Sequence, residues 1–155
     1  MLSAELVCGR RVAVVLQPGD DVIRSIVDAC ILHRIRQGYI AMFLGAFRSA
    51  RLIATTNPAT DPEPPLGAEV TVAYTEGTGS GSIVWNADAG EPRVHLHVAL
   101  GVKDEGGLAY AGHLLGAVTH YTAELVIDEV LAPTMVRVAD EQAFGLENLV
   151  FRPGP

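Results

Sequence analysis

Three histidines, His95, His97 and His113, stand where their spacing could do chemistry. His95 and His97 form a His-x-His pair in the β-rich run 93–102, RVHLHVALGV. The turn residues DEGG follow, and apolar residues resume at Leu108. If Val102 pairs with Leu108 across a hairpin, residue i faces residue 210 − i, so His97 faces His113. Side chains opposite one another in an antiparallel pair lie roughly 4.5–5.5 Å apart at Cβ, and those on one face recur every second residue. All three imidazoles then share a face and can reach a common point. Three imidazoles with a fourth position left open are a zinc-type arrangement, the fourth position taking water or substrate. Neutral imidazoles also suit nickel and iron(II). The competing reading is three ordinary sheet histidines. A one-residue bulge near Gly112 would put His113 on the other face.

The hairpin's remaining positions divide in the same way. Ala99, Gly101, Ala109 and Ala111 share the histidine face and make it the floor of a shallow pocket. Val94, Leu96, Val98, Leu100, Val102, Leu108, Tyr110 and Leu114 make the opposite face large and apolar, so it is expected to be core.

A water-activating metal site also needs a proton acceptor. Glu76, before a glycine-rich segment, and Glu124, on a later strand, are the acidic candidates. The parity of Glu124 is wrong for the histidine face, which suits a structural or interface residue. His120 has the opposite parity to His113 and is left out of the site. His33 falls near the end of a helix and reads as a surface residue.

These residues must be positioned by the rest of the chain. Residues 10–17 read as a strand closed by Pro18-Gly19. Asp20 is the expected N-cap, with Asp21 in the first turn, of an amphipathic helix over 21–37 that stops at Gly38. Residues 39–46 and 47–55 read as two strands. The segment 57–67, NPATDPEPPLG, reads as a loop. A strand over 68–74 leads to TEGTGSGS, which is expected to turn tightly. It lacks the GK[ST] and the strand-to-helix context of a phosphate loop. A short strand, 83–86, carries Trp85. Beyond the hairpin the chain stays β-like to Ile127, and an extended segment from Pro133 precedes a tail that docks through its own apolar residues. The sum is an α+β domain over residues 1–155, a mostly antiparallel β-sheet covered by one long helix. Such a sheet leaves edges and apolar surface, so self-association is expected.

Composition narrows the classes. With 155 residues and 49% of them hydrophobic, the chain can bury a core of its own. No apolar run approaches the roughly 20 residues a membrane span needs, and the N-terminus carries no secretory pattern, so the expected place is the cytoplasm. A net charge of -7 argues against direct binding to nucleic-acid phosphates. The nearby pairs Arg34/Arg36 and Arg48/Arg51 read as solvated surface. Cys8 and Cys30 form no CxxC motif and read as reduced residues, Cys30 on the apolar side of the helix.

Several pieces together resemble the plants and prokaryotes conserved (PPC) domain. They are the strand-plus-glycine segment before Ile83, PRVHLHVALG, the Gly-His-Leu of AGHLLGA, the strand TAELVI, and the Gly45-Ala46 segment. Ala111 stands where a second glycine often precedes Gly-His. The resemblance covers roughly residues 10–150. It implies a sheet with a covering helix, a homotrimer, and a metal, usually zinc, on His95, His97 and His113. Plant members attach the domain to AT-hooks that bind DNA; this chain has no Arg-Gly-Arg-Pro hook. The expected function is a metal-binding homotrimeric module for a small ligand or a regulatory role. The alternatives are a zinc-dependent enzyme using metal-bound water, and DNA association through a partner.

Overall fold

The computed structural model of the protein describes residues 1–53 and 68–153. The loop expected over 57–67 lies outside them. Among the described residues, seven strands and one α-helix follow in chain order, with a short 3-10 turn of helix at Glu141–Ala143 between the last two strands: β1 (Val7–Leu16), α1 (Val22–His33), β2 (Gly38–Ile53), β3 (Glu69–Asn86), β4 (Glu91–Val102), β5 (Ala109–Ala132), β6 (Thr134–Asp140) and β7 (Leu146–Arg152).

The sheet is not open. Its order is β1-β5-β2-β3-β4, and β5 also pairs with β4, so β2, β3, β4 and β5 close into a small barrel with β1 added beside β5. This corrects the expected sheet covered by one long helix. Closure is possible because β5 runs for 24 residues and changes neighbour along its length. Its first residues, 109–113, pair with β4, while residues 123–132 pair with β1. Register shifts between β2 and β5, at Ile40/Met42, Gly45/Phe47, Phe47/Ser49 and Arg51/Leu52, bend the pair where a regular ladder would stay flatter.

The segment expected as a tight turn, 75–82, is the middle of β3. Gly77, Gly79 and Gly81 alternate there, and a Cβ on each would lie 2.0, 2.4 and 2.1 Å from the carbonyl oxygens of Ala99, His97 and His95. The glycines are therefore a close-approach device that lets β3 press onto β4. The division into strands 39–46 and 47–55 is likewise replaced by one continuous β2.

The helix is shorter than the 21–37 expected. Asp21, not Asp20, is its N-cap, accepting from the Arg24 N–H, while the Asp20 carboxylate closes the preceding turn by accepting from the Gln17 N–H. It stops at Arg34 rather than Gly38. Arg34 takes a left-handed conformation, and the Arg34 and Ile35 N–H groups turn back to the Ile31 and Cys30 carbonyls. Ile35 is then buried at 1% exposure, the apolar contact that accompanies this kind of stop. The other end is pinned by an exchange of backbone hydrogen bonds between residues 19–20 and Thr119 on β5.

The core joins Val22, Ile26 and Cys30 of α1 to barrel residues including Phe43, Phe47, Leu96, Leu100, Leu125 and Ile127. Leu96, Val98, Leu100 and Leu114 are buried as expected from the hairpin's parity; Leu108, beside the turn, is exposed. Cys8 and Cys30 are both free, the first exposed and the second buried. Among the described residues, no helix is long and apolar enough to cross a membrane.

Candidate metal centre

The β4–β5 hairpin has the register its sequence implies. His97 pairs with His113, Ala99 with Ala111 and Gly101 with Ala109, and the Val102 N–H donates to the Leu108 carbonyl at 2.9 Å. No bulge intervenes at Gly112, which pairs with Val98. The three rings stand over one face of the hairpin, with centroid separations of 5.0 Å for His95–His97, 4.8 Å for His95–His113 and 5.4 Å for His97–His113. One nitrogen from each lies within 4.8 Å of the others. Nitrogens around a tetrahedral zinc ion lie about 3.4 Å apart, so small ring rotations suffice to bring the set to coordination distance. The donor chemistry fits a borderline metal: three imidazole nitrogens, and a wall open to a fourth donor.

The electrostatics favour neutral imidazoles. Burial, reinforced by Arg137 and by the neighbouring histidines, pulls His95 down to about 4. Burial and the proximity of His97 and Arg137 also lower His113. A metal ligand must shed its proton first, so an imidazole already held neutral is prepared for the ion.

The histidines open into a cavity of about 590 Å³ lined also by Ile53, Arg93, Arg137, Leu146, Glu147 and Asn148. Three of these, Arg93, Arg137 and Glu147, are charged residues that sequence reasoning did not assign to the site. Arg93 had a usable signal, because it precedes His95 by two residues and so shares its parity. Arg137 and Glu147 had none: they arrive from β6 and β7, a separate two-stranded ribbon folded over the site. Arg93 forms an ion pair with Glu147.

The acidic candidates lie elsewhere. Glu76 pairs in register with Gly101 and Ala46, four residues along β3 from Ser80, the partner of His97, and its side chain faces Lys103 at 3.8 Å. Glu124 is exposed between β1 and β2, opposite Val15 and Leu44. His120 packs against Tyr74 and Tyr121, away from the cluster, and His33 ends α1. One arginine of each sequence pair is engaged locally. Arg36 stacks over the Trp85 ring at 4.3 Å, and Arg51 faces Glu69 at 3.5 Å.

The family model of the Plants and Prokaryotes Conserved (PCC) domain matches residues 4–131. The chain belongs to this family. Among solved structures, a metal-containing protein from Archaeoglobus fulgidus is 25% identical, covering 97% of this chain and 99% of that one with a TM-score of 0.75. A plant- and prokaryote-conserved protein from Pyrococcus horikoshii is 20% identical over 96% and 97% of the two chains, with a TM-score of 0.75. A protein from Bacteroides thetaiotaomicron, provisionally named DNA-binding, is 22% identical over 94% and 97%, with a TM-score of 0.73. The last two likenesses establish the shared PCC fold alone. No protein of curated function matches the chain.

Proposed function

We propose that this PCC domain is a metal-binding module, with zinc held by His95, His97 and His113, that captures a small ligand at the ion's open position. The observation that carries the reading is the convergence of three imidazoles on one hairpin face at the floor of a cavity. The metal-containing relative from Archaeoglobus fulgidus supports it. When bound, zinc supplies a Lewis-acidic position for an oxygen donor.

Ligand capture is favoured over metal-assisted hydrolysis by the carboxylates. Among the described residues, the one acid lining the cavity is Glu147, and Arg93 already holds it. Direct DNA binding is disfavoured by the net charge of -7.

We propose further that the module is a homotrimer. Val15, Glu124 and Leu44 form a row across the adjacent strands β1, β5 and β2, and Val15 and Leu44 are 59% and 43% exposed. A partner surface covering that row would remove apolar area from water.

The test is His113→Ala. This variant is expected to lose most of its zinc while keeping the fold and the solution mass. Full metal occupancy in a folded His113→Ala protein would contradict the assignment.

A further inference from the structure

Arg137 is a cavity arginine with no ion pair of its own among the described residues: Glu147 acts on it only at longer range, against the neighbouring Arg93 charge. It reaches the site from β6. Its Nη2 donates to the Ser82 hydroxyl at 2.8 Å, and Ser82 is the register partner of His95. Its Nη1 donates to the Glu147 carbonyl at 3.1 Å. These two bonds clamp the guanidinium beside the histidine face. Both acceptors are neutral groups, and among the described residues no carboxylate lies within ion-pair distance of it. Glu147, the nearest acid, spends its carboxylate on Arg93. The Arg137 Nε–H is buried and has no acceptor among the described residues. A buried donor left without a partner costs free energy, and so does a half-buried cation whose nearby acid is paired with another arginine. The site keeps both.

Loading the site sharpens the imbalance. Coordinating imidazoles are neutral, so a divalent ion keeps its full charge and adds it to that of Arg137. Two positive poles then face one cavity: the ion's open position and the guanidinium. A planar fork of N–H donors is matched in geometry and charge by a carboxylate.

We propose that Arg137 is the anion-recognising residue of this cavity, and that the ligand is a small carboxylate with a second oxygen donor. The carboxylate lies on the guanidinium, and the second oxygen takes the position facing His95, His97 and His113. This rests on the metal reading above and names the class of ligand that the site takes.

Malonate is the probe, titrated calorimetrically into the untagged zinc-loaded protein, with zinc content measured before and after. Arg137→Met is expected to weaken malonate binding roughly tenfold to a hundredfold, the loss that goes with a hydrogen-bonded charge, while zinc content stays at the wild-type level. Arg137→Lys keeps the charge without the fork and is expected to fall between the two, which separates recognition from loss of fold. Equal malonate affinity in zinc-loaded wild type and both variants overturns the proposal and leaves the metal site standing. Absence of malonate binding to zinc-loaded wild type does the same. Failure of the wild type to take zinc overturns the metal reading itself.

Discussion

His95 shows how one side chain is tuned by its surroundings. It sits two residues from His97 on a pleated strand, faces Ser82 across the β3–β4 ladder, and has the Arg137 guanidinium nearby. Burial and that cation favour the uncharged ring, and His113 is shifted in the same direction. The consequence for the metal-free chain follows from linkage. In the unfolded chain these rings take up protons near their ordinary value of 6.5, whereas the folded state resists protonation until about 4 at His95. The unfolded state therefore binds more protons across that window, and stability falls as pH falls from about 6.5 toward about 4. Urea midpoints of the metal-free protein are expected to drop between pH 7 and pH 5, and His95→Ala is expected to flatten that dependence. A wild-type midpoint that does not move between those pH values would show that the rings are not held neutral.

The hairpin was legible from its residues because two constraints coincide. A period-two alternation of histidines and small residues against large apolar ones sets the faces, and the DEGG turn sets the register. The glycine-rich segment was misread because glycine marks both turns and close strand approach, and composition alone does not separate them. What decides is the partner: β3 lies flat against β4 at Gly77, Gly79 and Gly81. Helix length was overestimated for a related reason. Arg34 has no propensity that announces a left-handed stop; burial of Ile35 imposes it. The β3–β4 contact gives a direct prediction. At Gly81 even a methyl group would meet the His95 carbonyl at 2.1 Å, so Gly81→Ala must part the strands. It is expected to cost about 1–3 kcal/mol in urea unfolding, the usual range for overpacking, and to lower zinc affinity by moving His95. Unchanged stability and zinc affinity would mean that β3 does not press on β4 as described.

Closure of the barrel and the folding of the β6–β7 ribbon over it depend on contacts far apart in sequence, which a local pattern does not encode. That is why the histidines could be placed from the chain while Arg137 and Glu147 could not, and why an open sheet was the natural expectation. The same topology leaves Val15, Glu124 and Leu44 as an outward row on three neighbouring strands. If that row is the contact between copies, Leu44→Asp places a second acid beside Glu124 within the interface and should reduce the mass in solution toward that of a single chain, with the monomer's circular dichroism retained. An unchanged solution mass would move the contact elsewhere.

The central claim is that the three imidazoles hold a metal, and elemental analysis of the untagged protein, with His113→Ala measured beside it, tests this most directly. About one zinc per wild-type chain, largely lost from the folded variant, is the predicted result. A wild-type protein that carries no metal, even after zinc is added and excess removed, would contradict it.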